Sequence, residues 1–153
     1  ENVATSNISN LFTTNLQCTV TGIGPNTTPF RTSYPVAIGG ALSDESTTLT
    51  TGTKLTMRAP YTFTVTSDYM PLFTLNANSA SSNVTFSILK NGSNIYSVNP
   101  NVSFQSTFLS SNLTPGTLLG GSNTFNYLDT IAVTIVGIGS GTPNGAKVVI
   151  YCD

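Results

Sequence analysis

Ser87-Ile88-Leu89-Lys90-Asn91-Gly92-Ser93-Asn94-Ile95-Tyr96 places an Asn-Gly pair between two apolar runs. The pair supplies the positive φ angles that a tight turn needs, so the segment predicts a β-hairpin. Just upstream, Val84, Phe86 and Ile88 recur at a spacing of two, with Thr85 and Ser87 between them. That is the period of a strand with one face buried. The same alternation appears at Leu55 and Met57, at Tyr61, Phe63 and Val65, and at Val102 and Phe104. It returns at Ile131, Val133 and Ile135, and at Val148 and Ile150. Thr fills many outward positions, where its branched Cβ suits the pleat and its hydroxyl stays in water. No stretch holds a helical period beyond about two turns.

Further turn signals stand at Gly22-Ile23-Gly24-Pro25, Gly39-Gly40, Pro115-Gly116, Gly120-Gly121 and the Gly-rich stretch 139–145. Their spacing is that of an antiparallel sandwich. The expected fold is therefore all-β, an antiparallel, jelly-roll-like β-sandwich with an extended N-terminal arm. Residues 1–15 are rich in Asn and Ser, with Ile8, Leu11 and Phe12 as isolated apolar anchors, and read as an arm or linker. Residues 16–153 read as a single sandwich domain. Pro71, within Tyr69-Met70-Pro71-Leu72-Phe73-Thr74-Leu75, cannot donate to a ladder. Its strand is expected at a sheet edge or at a bulge, covered by a partner subunit or by a loop of the same chain.

The length of 153 residues fits one domain able to bury a core. Five Lys plus Arg against six Asp plus Glu leave a formal net charge of -1, which gives no field to gather nucleic acid or anionic lipid. Solubility comes instead from 26 Thr, 18 Ser and 16 Asn. The 39% of hydrophobic residues, with eight Phe and six Tyr among them, is enough for a folded core. No histidine is present, which removes the usual general base, the usual hydrolase triads and most zinc sites. The expectation is a non-enzymatic protein with no cofactor and no metal.

Two cysteines, Cys18 and Cys152, sit near opposite ends of the chain. Either they form a disulfide tying the first strand to the last, worth about 4 kcal/mol on a chain-entropy estimate, or they are two buried thiols acting as small apolar residues. The longest apolar run, Ile131 to Ile138, is broken by Thr134 and Gly137, so no membrane insertion is expected. Glu1 is not a methionine, which reads as a processed chain or a fragment of a longer one.

From residue 51 to 153 the order of features resembles a β-sandwich domain that recurs in tailed-phage virion proteins, especially tail fibres, head fibres and capsid decorations. Lys54-Leu55-Thr56-Met57-Arg58-Ala59-Pro60-Tyr61 is similar to the family's opening strand with its Arg-Ala-Pro-Tyr end. Phe86-Ser87-Ile88-Leu89-Lys90-Asn91-Gly92-Ser93-Asn94-Ile95 resembles its Lys-Asn-Gly hairpin. Tyr127-Leu128-Asp129-Thr130-Ile131-Ala132-Val133-Thr134-Ile135, followed by Gly137 to Ile150, resembles its last hairpin, with Leu128-Asp129 where the family often has Gly-Asp. The resemblance implies a structural domain on the virion exterior, often trimeric, with capsid or tail proteins as partners. A second expectation on the same scaffold is a carbohydrate-binding module for host attachment, with a host surface glycan as partner.

Candidate chemistry is sparse. Asp44-Glu45 is the only adjacent carboxylate pair, and Asp68 and Asp129 are the other interior acids. All four read as solvated turn acids, since nothing in the sequence sets two carboxylates facing each other as a glycosidase needs. Tyr34, Tyr69, Tyr96 and Tyr127 are candidate aromatic platforms for sugars, Tyr69 beside Asp68 first among them. The alternative is that each packs on the sheet with its hydroxyl at the surface, so no glycan contact is assigned. Asn-x-Ser/Thr sequons begin at Asn7, Asn26, Asn83, Asn91, Asn101 and Asn112, about the number that chance yields at this composition.

Overall fold

Alternation of apolar residues with Thr and Ser builds the strands, and their apolar faces supply the core. The computed structural model describes residues 36–77, 83–103 and 109–152. The arm over 1–15, the start of the domain at 16, Cys18, the break at 22–25, Tyr34 and Phe104 lie outside the described residues.

In chain order the strands are β1 (Val36–Ala41), β2 (Gly52–Arg58), β3 (Phe63–Thr66), β4 (Leu72–Thr74), β5 (Val84–Lys90) and β6 (Ser93–Asn94). They continue with β7 (Tyr96–Val98), β8 (Asn101–Val102), β9 (Thr117–Leu118), β10 (Ser122–Phe125), β11 (Thr130–Gly137) and β12 (Lys147–Cys152). Helical structure among the described residues is confined to single 3-10 turns at Ser111–Leu113 and Leu119–Gly121. One sheet runs β2-β11-β5, with β6 and β8 both on the far side of β5; another runs β1-β12-β4. Two short ribbons, β3 with β10 and β7 with β9, complete the sheets, and every pairing is antiparallel. The chain is an all-β antiparallel sandwich.

The inward residues are the ones the alternation points to. Val84, Phe86 and Ile88 on β5, Ile131, Val133 and Ile135 on β11, and Val148 and Ile150 on β12 are all buried. Phe73 of β4 stacks on Phe86 of β5 with ring centroids 4.5 Å apart and planes 14° from parallel, joining the two larger sheets through the core. Phe63 and Phe125, opposite each other on β3 and β10, stack at 5.1 Å. On the outer surface the Thr hydroxyls do more than face water. Thr64 pairs with Thr124 at 2.9 Å and Thr53 with Thr134 at 3.2 Å, both across strands.

Asn91 (φ 48) and Gly92 (φ 88) form the two-residue turn, with Lys90 opposite Ser93. The hairpin is shorter than its apolar pattern suggests. Ile95 N still donates to the Ile88 carbonyl at 3.0 Å, but Asn94 Oδ1 accepts a hydrogen bond from Tyr96 N at 3.1 Å, an Asx-type turn that draws the chain off the ladder beyond Ile95. Tyr96 then begins β7 and pairs with Leu118 of β9 instead of continuing along β5.

Two further expectations are corrected. Gly39-Gly40 is not a turn but the middle of β1, because a Cβ on Gly39 would stand 2.1 Å from the Val148 carbonyl oxygen. Glycine is what lets β1 lie that close to β12. Tyr61 is not an inward strand residue. β3 starts at Phe63, and Tyr61 stays 37% exposed with its ring edge-on to Phe63 at 5.9 Å.

Pro71 immediately precedes β4, which is indeed an edge strand of its sheet. Its cover comes from the same chain. Phe73 N donates to Ser111 Oγ at 3.0 Å and Leu75 N to the Leu109 carbonyl at 2.9 Å, with a bridge between Thr74 and Ser110.

Candidate functional site

Three segments far apart in sequence meet at one end of the β2-β11-β5 sheet. These are the end of β2, the Asn91-Gly92 turn and the turn before β11. Asn91 Nδ2 donates to Asp129 Oδ1 at 2.7 Å, and Asn126 N donates to Asp129 Oδ2 at 2.8 Å. Lys90 Nζ lies 3.5 Å from Asp129 Oδ2 and also donates to the Thr124 carbonyl. Asn91 Oδ1 in turn accepts from Thr130 N at 2.8 Å. Arg58 closes the set, its guanidinium donating to the Leu128 carbonyl at 3.1 Å and to Thr130 Oγ1 at 2.8 Å. Backbone bonds from Leu128 N to the Ala59 carbonyl and from Ala59 N to the Asp129 carbonyl lock the same turn onto the end of β2.

Asp129 is therefore the hub of a clasp, not the solvated turn acid expected of it. Its partners leave few lone pairs to accept a proton from a substrate or to ligate a metal. The Asn91 amide first, then the Asn126 backbone N–H and the Lys90 charge, hold its carboxyl below the ordinary value of 3.8. A carboxyl lowered in the folded state contributes stability that is fully present above its unfolded pKa and is lost as pH falls through the folded one. The melting temperature is expected to stay level down to about pH 5 and to fall below the ordinary carboxylate range. In Asp129→Asn that acid fall should be shallower. Equal slopes in thermal scans from neutrality to strong acid would show that the clasp carries no such linkage.

Leu128 has φ 69, a left-handed conformation that costs a side-chain-bearing residue about 1 kcal/mol. Leu128 and Tyr127 are 53% and 63% exposed on this turn, so the strained position presents apolar surface outward.

The other acids divide cleanly. Asp44 caps its own turn: Oδ1 accepts from Ser46 N at 2.9 Å and Thr47 N at 2.5 Å, and Oδ2 from Thr47 Oγ1 at 2.6 Å. Those bonds, the Thr47 hydroxyl first, lower its pKa. Glu45 pairs with Lys147 at 2.8 Å on the surface. Both are the turn acids the sequence suggests. Asp68 stands in the β3–β4 turn, exposed, and lines a cavity of about 330 Å³ together with Pro71, Ser111, Asn112, Pro115 and Tyr151. Tyr69, first among the candidate aromatic platforms, is not among the lining residues; the aromatic residue there is Tyr151. The side chain at 151 carried no signal in the sequence, because its place beside Asp68 depends on the pairing of β12 with β4.

Tyr96 is corrected outright. It is a core residue, and its buried hydroxyl has no hydrogen-bond partner among the described residues, so desolvation pushes its pKa well up. Cys152 is a buried free thiol on the inward face of β12, its pKa raised by burial, and Cys18, the other residue of the candidate disulfide, lies outside the described residues. Among the described residues no three His, Cys, Asp or Glu side chains gather as a metal site, and no helix is long and apolar enough to cross a membrane. Set against protein-family models, curated proteins and solved structures, the chain matches none of them.

Proposed function

We propose that this chain is a non-enzymatic structural protein of a bacteriophage virion, a fibre or capsid-decoration domain on the particle exterior that assembles as a homotrimer beside capsid or tail proteins. The observation that carries the reading is the clasp. The Arg-Ala-Pro-Tyr strand end, the Lys-Asn-Gly hairpin and the start of the last hairpin, the three stretches through which the chain resembles that family, hold one another through Arg58, Asn91 and Asp129. The shared residues are thus the ones that build the domain. Assembly has a ready surface in β1. This edge strand is uncharged from Val36 to Ala41, and its outer edge has no partner strand among the described residues. An unpaired edge of that kind is a template for another chain.

Light scattering of the full chain at micromolar concentration tests the reading. The expected mass is three times the 16.0 kDa of one chain, returning to one in Ala37→Lys, which puts a charge on the exposed side of β1. A persistent monomer would sink it. A second reading, a carbohydrate-binding module for host attachment, is favoured by one feature, the cavity beside Asp68.

A further inference from the structure

Of the acidic side chains among the described residues, Asp68 alone has neither an ion pair nor a hydrogen bond. Asp44 is satisfied by its own turn, Glu45 by Lys147, and Asp129 by Asn91 and Lys90. Asp68 is also the one that lines a cavity. Three separate segments form that cavity, and each is anchored. The β3–β4 turn brings Asp68 and Pro71. Tyr151 comes from β12, which pairs with β4. Ser111, Asn112 and Pro115 come from the segment bonded along the edge of β4.

The polar groups facing this space are of both kinds. Asp68 can only accept hydrogen bonds. Asn112 Oδ1 is already taken by Ser110 Oγ at 3.0 Å, which leaves the Asn112 Nδ2 hydrogens to donate. Ser111 accepts at Oγ from Phe73 N and is fully buried, so it backs the wall and offers no group to a ligand. A ligand that satisfies the Asp68 acceptor and the Asn112 amide donor within one small volume must itself both donate and accept. Hydroxyl groups do so; an ammonium offers no acceptor, and a carboxylate offers no donor to Asp68. No Lys or Arg lines the cavity to offset the Asp68 charge, so anions are disfavoured further. Around these groups, the ring of Tyr151 and the faces of Pro71 and Pro115 provide apolar surface of the sort that the C–H face of a sugar ring covers. A volume of about 330 Å³ is at the small end for ligand sites, suited to a single ring.

We propose that this cavity binds one neutral pyranose unit of a glycan. Asp68 accepts from two neighbouring hydroxyls, Asn112 Nδ2 donates to other oxygens of the sugar, and Tyr151 lies against its C–H face. The assignment rests on the host-attachment reading and names its ligand class and site; it does not depend on the trimer.

The test is a titration of the isotope-labelled full chain with methyl glucoside, methyl mannoside and methyl galactoside, read by NMR. Methyl glucuronide and tetramethylammonium serve as charged comparators. At least one neutral glycoside should give saturable shifts at the Asn112 side-chain amide and at Tyr151. Asp68→Asn, at an exposed position, should keep the fold and weaken that binding roughly 10-fold or more. Tyr127→Ala, on the clasp turn, should leave it unchanged. No saturable shift with any neutral glycoside, or a charged probe binding as well as the best neutral one, would overturn the proposal. A neutral glycoside bound equally well by Asp68→Asn would also overturn this site, while leaving the host-attachment reading standing on some other surface.

Discussion

Alanine at Gly39 should cost the fold about 3 kcal/mol or more, whereas alanine at Gly40, the next residue of the same strand, should be tolerated. A Cβ on Gly39 would sit 2.1 Å from the Val148 carbonyl oxygen and 3.1 Å from Val149 Cα, both of them backbone atoms that no rotamer change can move. The strand itself must shift, and the ladder from Val36–Cys152 to Ala41–Lys147 weakens with it. A Cβ on Gly40 would meet only Leu55 Cδ2 at 3.6 Å, an ordinary contact with the end of a flexible side chain. Urea unfolding of the two variants checks this. Equal midpoints would mean that β1 is not held against β12 as described. Gly39 is exposed, and surface substitutions normally change stability by about 0.5 kcal/mol at most, so the contrast isolates backbone approach as the cause. Because β1 is also the proposed assembly edge, Gly39→Ala should lower the oligomer's mass along with its stability.

The second large effect is expected at Phe86. Its side chain is fully buried on β5 and stacked on Phe73 of β4, so truncation to alanine removes a ring from the contact joining the two larger sheets. Phe→Ala changes in cores cost about 3–5 kcal/mol, from lost transfer energy and from a cavity that close-packed neighbours fill only in part. For a domain of this length that corresponds to a fall in melting temperature on the order of 10 °C. Calorimetry of Phe86→Ala beside Tyr127→Ala makes the comparison, since Tyr127 is an aromatic of similar size at an exposed turn. A loss no greater than that of Tyr127→Ala would contradict the position of Phe86 in the core.

Much of the fold is legible in the sequence because its cause is local. The sides of Val84, Phe86 and Ile88, or of Ile131, Val133 and Ile135, follow from a side-chain direction that reverses at every residue of a strand. The Asn91-Gly92 turn follows from the backbone those two residues tolerate. Pro71 announces an edge because it lacks an N–H. The misreadings share the opposite property. Gly39-Gly40 carries the composition of a turn, yet the close approach of β12, more than a hundred residues later, makes it the interior of a strand. Tyr96 follows a good turn signal and reads as a residue with its hydroxyl at the surface, but its chain leaves β5 for β9 and takes the hydroxyl into the core as well.

The candidate site was less legible than the fold. Asp68 and Asp129 look alike in sequence, each a lone acid in a turn. Register makes them different. It brings Asn91 to Asp129 from 38 residues away, and Arg58 to Thr130 from 72, whereas no hydrogen-bond or ion-pair partner among the described residues is brought to Asp68. The sequence by itself determined that the chain is a sandwich of antiparallel strands, which residues of β5, β11 and β12 face inward and where its sharpest turn lies, because period-two alternation and backbone sterics act within a few residues. Only the tertiary structure decided which acid is locked in a clasp and which lines a cavity with Tyr151, because those contacts depend on strand pairing across the whole chain.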